Sequence, residues 1–545
     1  MEFDSTKFKS SASFFFAKKC LSFCLDEDAF YSLYYLFKAY FYGHLCIYFD
    51  GKSLNPDPRL LLDEEEKIDE EKIINGFSFF SNEIYQTSSS EISFKPIVKE
   101  GNHYYVQRNF LLEESILADV QRLYGKTPAL FFPKERIKQM LISLDLKINE
   151  DQKNAIVSTL SSSFHLLTGG PGTGKSYTVK ALIQTFIALC KEIEFVPRIL
   201  ITAPTGKATA TLKERLSKEG FDEGAHVDIG TLHSILKIKK QGAYPATFFY
   251  DLVIVDESSM VDFYLWKVFL SSLKVGSSVL IMGDHNQLPP VESGMVFFDL
   301  IKVLCCSHLE KCMRVENLPL LSLARAIKEG NKKEAERYLF SSSDPTIYFY
   351  EINNESALLN LPQFEDFLDK FIKEEKFVFL TPFNQGPFGT KALNETILAT
   401  LLRQSKKQLK IPIMITKTDY ELSLFNGDCG YLIKPFEGLS EFAFFMVDGE
   451  EKKIPLSLIK EYDLAYCISI HKSQGSEYDS AAVFLSEGAH KFGKEVFYTA
   501  ITRVKKELKV FSSRQTIDLL LKKEGNKYSA LYLKLQKRIY HESSC

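Results

Sequence analysis

Short, largely apolar runs alternate with helical periodicity along most of the chain. From Ile148 onward, Phe164 to Thr168, Ile199 to Ala203, Leu252 to Val255, Val279 to Met282 and Phe377 to Thr381 each end in Gly, Pro, Asp or Thr and lead into a helical pattern. Runs apolar on both faces predict parallel strands with helices on either side of the sheet. Ala481 to Phe484 and Leu508 to Phe511 resume that texture near the C-terminus. Between residues 405 and 462 the pattern shifts to strand-like pieces broken by Asn426-Gly427-Asp428, Pro435-Phe436-Glu437-Gly438 and Asp448-Gly449, which predicts a small β-barrel-like insertion. Residues 1 to 130 read as a Phe/Tyr-rich, mainly helical unit, with helical spacing from Phe30 to Phe41 and an acidic stretch, Asp63 to Glu71, expected as a solvated loop. The pattern therefore predicts an α/β protein with four parts: a helical unit over 1–130, a first lobe over 131–325, a second over 326–404 and 463–545, and the insertion over 405–462.

Composition agrees with that division. The 545 residues suit three or four domains at about 150 residues each, and 45% apolar with 25% charged residues is ordinary for a globular protein. A peptide hormone, a disulfide mini-protein and a lone binding module are excluded. A net charge of −3 gives no electrostatic footprint of a nucleic-acid partner. Only 13 of the 67 cations are arginine, so an arginine in a special context is informative. None of the 10 cysteines forms a CxxC pair, and they read as reduced, mostly buried thiols of a cytosolic protein. The closest cluster, Cys305, Cys306 and Cys312, reads as small hydrophobes near a strand end. The Phe14-Phe15-Phe16 run is cut short by Lys18 and Lys19, and neither a signal peptide nor a membrane helix is predicted.

Gly169-Gly170-Pro171-Gly172-Thr173-Gly174-Lys175-Ser176 follows an apolar run and, with Tyr177 next, opens a helix whose predicted buried stripe is Val179, Leu182, Ile183 and Phe186. Glycines at this spacing let successive backbone N–H groups turn inward around a β-phosphate, and the helix N-terminus adds partial positive charge. Lys175 would reach the β- and γ-phosphates of ATP, and the Ser176 hydroxyl would ligate Mg²⁺. A magnesium site needs a second oxygen ligand, and Leu252 to Val255 delivers Asp256-Glu257 at a strand end. Asp256 would hold the ion through water, and Glu257 would polarise the attacking water.

A third strand end, Ile281 to Pro290, puts Gln287 where an amide can sense a γ-phosphate. Arg314 and Arg503 are the two arginines in suitable contexts, and their planar guanidinium groups can stabilise charge spreading over transferring oxygens. Two such fingers from a second lobe would make closure depend on ATP. Candidate strand contacts are Pro204, Thr205 and Lys207, then Thr231 and His233, and late in the chain His471, Lys472 and Gln474. Hydroxyls, backbone N–H groups and single cations at loop tips suit sequence-independent phosphate contacts, although each such loop could equally cap a helix.

In this order GGPGTGKS, APTGKA, TLH, VDESSM, GDHNQLPP, Arg314, HKSQGSEYD and YTAITR resemble the superfamily 1 DNA helicases of the RecD type. Thr381-Pro382-Phe383, Gly386 to Thr390, Leu393-Asn394 and Leu424 to Asp428 resemble signatures of RecD itself, and residues 148 to 512 carry the likeness most strongly. The N-terminal unit is similar in length and texture to that of the alpha subunit of exodeoxyribonuclease V. The resemblance implies two RecA-like P-loop NTPase lobes with nucleotide between them and an SH3-like insertion. It also implies 5′-to-3′ movement on DNA, use of ATP and Mg²⁺, and an adenine-contacting glutamine at Gln152. A strand-separating pin is expected at residues 237 to 247, where this chain has a short hairpin at most. The implied setting is cytoplasmic double-strand break repair and recombination, with single strands and duplex ends as DNA partners and no membrane. RecB-like and RecC-like subunits would complete a heterotrimer. The alternative is a stand-alone RecD-type helicase, whose longer N-terminal extension usually carries helix-hairpin-helix repeats. Residues 1 to 130 show no such Gly-spaced hairpins.

Overall fold

The computed structural model describes residues 11–541 apart from 22–25, 27, 63–67, 81–84, 88–94, 218–223, 239–246, 312–317, 342–343, 353–369, 371–375, 405–408, 420, 435–440 and 448–449. Most of the hairpin expected at 237–247, the start of the acidic stretch and two of the expected insertion turns lie outside the described residues. The end of the acidic stretch is helical, because the Asp69 side chain accepts from the Glu71 N–H and caps the helix Glu70–Gly76.

The N-terminal unit is mainly helical and adds a small sheet that its tyrosine-rich texture concealed. Strands β1 (Cys46–Phe49), β2 (Leu54–Asn55), β3 (Tyr85–Thr87), β4 (Ile97–Glu100) and β5 (His103–Val106) are ordered β2-β1-β5-β4-β3. The helix Asp28–Phe41 packs its Phe30, Leu33, Tyr34 and Phe37 into one core with Ile47 and Tyr104 of this sheet.

The first lobe has six parallel strands: β6 (Phe164–Gly169), β7 (Arg198–Ala203), β8 (His226–Thr231), β9 (Leu252–Val255), β10 (Ser278–Gly283) and β11 (Cys306–Leu309). Their order is β11-β6-β10-β9-β7-β8, so β6, β10 and β9 are central, and β9 and β10 are buried along their whole length. Apolar side chains leave both faces of the sheet, and a separate core fills each side. Val179, Leu182, Ile183 and Phe186 of the helix Lys175–Glu192 are fully buried on one face, each contributing about 1.5–3 kcal/mol of transfer free energy. Phe263, Trp266, Phe269 and Phe297 fill the other.

The second lobe repeats this parallel plan with β12 (Ile347–Glu351) and β13 (Phe377–Thr381) before the insertion. The insertion itself is antiparallel: β14 (Leu409–Ile415), β15 (Cys429–Lys434), β16 (Phe442–Val447), β17 (Glu450–Pro455) and β18 (Tyr462–Leu464), ordered β17-β16-β15-β14-β18. Among the described residues no pairing joins β17 to β18. The lobe is completed by β19 (Cys467–Ser469), β20 (Tyr478–Leu485) and β21 (Val504–Ser512), giving the order β12-β21-β20-β13-β19. Ile411, Ile413 and Phe445 of the insertion share a core with Phe379, Phe484 and Phe511, which roots the insertion in the lobe.

The C-terminus departs from the expected division. Instead of staying with the second lobe, the helix Leu531–His541 returns to the first lobe's core, where Leu531 and Leu535 join Phe297 and Leu300 of that lobe and Ile116, Leu117 and Val120 of the helix Gln107–Leu123 from the N-terminal unit. Its amphipathic stripe fits any apolar groove, so sequence could not say which lobe it covers. Among the described residues the cysteines are free thiols, of which Cys20, Cys46, Cys190 and Cys467 are buried, Cys306 is half-buried and Cys305 and Cys429 are exposed.

An ion cluster fixes the returning helix. Lys534 Nζ lies 2.9 Å from Glu113 Oε2 and 3.1 Å from Glu114 Oε1, and also pairs with Glu100, while Arg538 pairs with Glu114. Glu113 is fully buried and also accepts the Tyr105 hydroxyl at 2.9 Å. Burial pushes the Glu113 carboxyl above its ordinary range, and Lys534 opposes that shift. Replacing Lys534 by Met strands a buried carboxylate, so urea denaturation should show a loss of about 3 kcal/mol. Adding Glu113→Gln should recover most of it, because the penalty comes from the unpaired charge rather than from the missing pair.

Candidate active site

The phosphate-binding loop turns at the C-terminal end of β6. Gly172 (φ +74°) and Gly174 (φ +89°) adopt the left-handed backbone that side chains resist, and the helix starts at Lys175. Lys175 Nζ donates to the carbonyls of Gly169 (2.5 Å) and Gly170 (3.2 Å), and Thr173 Oγ1 donates to Gly170 (2.8 Å), which closes the loop on itself. Ser176 follows one residue into the helix, and Tyr177 is exposed. Pro171 and its neighbours border a cavity of about 530 Å³ whose opposite wall carries Tyr498 and Thr502 of the second lobe with Leu321 and Arg325 of the helix Leu318–Lys328, which packs into the second lobe's core although the expected division at 325 left it in the first. That volume suits a nucleotide-sized ligand.

Gln152 does not present an open amide. It is 2% exposed, its Oε1 accepts from the Asn149 N–H and its Nε2 donates to the Gly174 carbonyl at 3.4 Å. With Asn149 it forms a capping box, so here it braces the loop from behind.

Asp256 emerges from β9 nearly buried, and its Oδ1 accepts the Glu257 N–H at 2.8 Å. Glu257 itself stands at φ +50°, a left-handed conformation that costs a non-glycine residue about 1–2 kcal/mol. The turn leaves the carboxylate within the electrostatic influence of Lys175 and of Arg503 from the second lobe. Burial and then Asp256 push the Glu257 carboxyl above its ordinary range; Lys175 and Arg503 oppose, and Asp284 adds to the rise. Lys175, Asp256 and Arg503 therefore all lie within electrostatic reach of Glu257.

The turn after β10 is held from both lobes. Asp284 is fully buried; its Oδ1 accepts the Asn286 N–H (3.0 Å), and its Oδ2 accepts the Tyr498 hydroxyl (3.0 Å) and Gln287 Nε2 (3.4 Å). The other end of the Gln287 amide, Oε1, is buried without a partner among the described residues. Thr499 Oγ1 accepts the Leu288 N–H (2.9 Å), and Gln474 Nε2 donates to the Leu288 carbonyl (3.3 Å). Arg503 is 4% exposed and donates to the carbonyls of Thr499 and Ser476 and to the Thr502 hydroxyl. Arg314 lies outside the described residues.

The candidate strand contacts are only partly gathered. Thr205 and Thr231 accept backbone N–H groups at the starts of the helices Gly206–Ser217 and Leu232–Ile235, the capping role that sequence left open. Pro204 is half-buried beside them and His233 is exposed. Lys207 Nζ sits 5.7 Å from the centre of the Tyr478 ring, drawn toward the second lobe. Lys472 is exposed near Asp463, and His471 lies against Phe492 with burial drawing its pKa down to about 4. Gln474, 4% exposed and committed to Leu288, braces the lobe interface and does not line an open groove.

Two family models match the chain: an AAA domain over residues 152–293 and a UvrD-like helicase C-terminal domain over residues 464–510. A relative from Buchnera aphidicola, "RecBCD enzyme subunit RecD", is 26% identical over 79% of this chain and 83% of its own. The chain is an ATP-dependent DNA helicase of the RecD type. The "ATP-dependent RecD2 DNA helicase" of Deinococcus radiodurans is 28% identical to this RecD-type chain over 66% of it, but over 48% of its own length. A solved Pif1 helicase from Bacteroides with ADP-AlF3 and ssDNA covers 73% of the chain and is itself covered over 98%, at 17% identity and a TM-score of 0.44.

Sequence reasoning had overlooked two groups of this RecD-type site. Asp284 and Tyr498 both stand inside motifs that were recognised, GDHNQLPP and YTAITR, yet only their pairing across the cleft shows what they do. A Cβ built at Gly174 would come within 2.6 Å of Gln152 Nε2, and the φ there is already hostile to side chains. Gly174→Ala should therefore weaken ATP binding at least tenfold, about 1.4 kcal/mol, in a fluorescent-nucleotide titration, with the melting temperature nearly unchanged.

Proposed function

We propose that this chain is the alpha-type motor subunit of a RecBCD-like exodeoxyribonuclease V, moving 5′ to 3′ along DNA and opening duplex ends during break repair. The likeness to the Buchnera subunit supports this reading over the stand-alone alternative, because it extends over most of both chains. The Deinococcus RecD2 helicase is matched over less than half of its length. In this reading the parallel lobes are RecA-like, the antiparallel insertion is SH3-like, and the N-terminal unit docks the RecB-like and RecC-like partners.

The ATPase roles follow from charge and position. The Gly169 to Gly174 backbone would cradle the phosphates, and Lys175 would leave its loop carbonyls for the β- and γ-oxygens. Ser176 and, through water, Asp256 would hold Mg²⁺, which when bound neutralises phosphate charge. Glu257, a carboxylate biased toward accepting a proton, would polarise the attacking water. Gln287 would offer its amide to the γ-phosphate, and Arg503, joined by Arg314, would stabilise the charge that spreads during transfer. The observation that carries this assignment is Arg503: a buried guanidinium from the second lobe that neutral oxygens hold near Glu257 of the first. Thr205, Lys207, His233, His471 and Lys472 would contact strand phosphates, with Pro204 and Thr231 shaping those turns. Gln474 would support the track from behind.

Glu257→Gln should keep ATP and strand binding while DNA-stimulated hydrolysis falls at least a hundredfold; turnover near wild type would remove Glu257 as the water activator. Arg503→Ala should abolish DNA-stimulated ATPase with little change in nucleotide-free strand affinity. Co-expression with RecB-like and RecC-like chains followed by size exclusion should yield one heterotrimer. Vigorous unwinding of 5′-tailed duplex by the isolated chain would favour the stand-alone reading, and preference for 3′ tails would refute the polarity.

A further inference from the structure

The segment between the last helix of the second lobe, Arg514–Lys522, and the returning helix Leu531–His541 crosses back over the turn that carries Gln287. It is tied at both ends. On the second-lobe side, the Gly525 N–H donates to Glu495 Oε2 at 2.8 Å, at the start of the helix Lys494–Ile501 that leads to Arg503. On the first-lobe side, Lys527 Nζ donates to the carbonyls of Pro290 (2.5 Å), Val291 (2.8 Å) and Glu292, three consecutive residues just after Gln287-Leu288-Pro289. An ammonium group has three N–H donors, and this one spends all of them on one stretch of backbone. The neighbouring Tyr528 is bonded to the N-terminal unit, its N–H to His44 Nδ1 (2.7 Å) and its carbonyl to the Leu45 N–H (2.9 Å).

From this geometry we propose that Lys527 is a positioning residue for ATP hydrolysis: it anchors the Gln287 turn to a strap whose other end moves with the helix Lys494–Ile501 that leads to Arg503. The inference rests on the reading of Gln287 as the γ-phosphate sensor and adds what sets its position. The strap lies beyond residue 510, where the matched C-terminal family domain ends, and no motif of the sequence points to it. The fit around Lys527 is close, since a Cβ at Gly43 would meet its Nζ at 2.9 Å. Burial draws the Lys527 pKa down to about 8, opposed by Glu292 and Asp262, which agrees with an enclosed cation fixed on carbonyl oxygens. When the second lobe shifts relative to the first, the strap pulls on residues 290–292, and Gln287 moves with them.

The test uses the full chain with Mg-ATP and an oligodeoxythymidine strand. Lys527→Met keeps the side chain's length and removes its donors. It should lower DNA-stimulated kcat at least fivefold, while KM for ATP and nucleotide-free strand affinity stay within twofold. Damage to folding alone would reduce all three together. Glu495→Ala releases the other end of the strap and should act in the same direction, and the double variant should be no slower than the slower single. A kcat within twofold of wild type for Lys527→Met, or multiplicative effects in the double variant, would overturn the proposal. If melting shows that Lys527→Met does not fold, Glu495→Ala decides: a fall in kcat at constant KM supports the strap, and an unchanged kcat refutes it. Gln287→Ala in parallel separates the two levels, because wild-type turnover there would sink the sensor reading itself.

Discussion

The buried carboxylate of Asp284 is the constraint around which the two lobes are arranged. A carboxylate removed from water must be met by donors, and leaving it short costs several kcal/mol. Two donors come from its own turn through Asn286, and Gln287 adds a longer third. The remaining close donor, the Tyr498 hydroxyl, belongs to the other lobe. The second lobe is thus part of the solvation shell of the first lobe's turn, and separating the lobes exposes a group that folding has already desolvated. Thr499, Gln474 and Lys527 then hold the same turn at Leu288 and at residues 290–292. Several of the bonds that hold the Gln287 turn therefore depend on where the second lobe lies.

How much of this could be read in advance depended on the range of the interaction. Strands β9 and β10 were legible because both of their faces are apolar, and that pattern has few other solutions than a central parallel strand. The stripe Val179, Leu182, Ile183 and Phe186 was legible for the same reason at helical period. Strands β1 to β5 were not, because they are two to four residues long and rich in tyrosine, which is too short to show alternation. The helix Leu531–His541 was visible as amphipathic, but the groove that receives it is a property of tertiary packing.

The site divides in the same way. Closely spaced glycines, an Asp-Glu pair at a strand end and a rare arginine are local signals, so Gly174, Asp256, Glu257 and Arg503 could be proposed from sequence alone. Gln152 was proposed by resemblance, yet its Oε1 is taken by a capping box with Asn149 and its Nε2 by the Gly174 carbonyl of the phosphate loop. Thr205 and Thr231 show why hydroxyl-bearing turns mislead: the same oxygen that suits a phosphate also satisfies the N–H groups of a helix start. Lys527 left no signal, because a lysine that binds carbonyls in a loop has no periodicity and no motif.

Whole-chain charge was the least informative quantity, and the geometry explains why. The net of −3 averages over a surface on which the cations that matter are few and individually placed. Lys207 lies against the Tyr478 ring, a contact worth roughly 0.5–2 kcal/mol according to how far it is desolvated. The Tyr478 N–H donates to the Arg503 carbonyl at 2.8 Å, and Arg503 acts on the titration of Glu257. A lysine in a proposed strand-contact loop and a carboxylate proposed to activate water are thus separated by only two intervening residues, both from the other lobe.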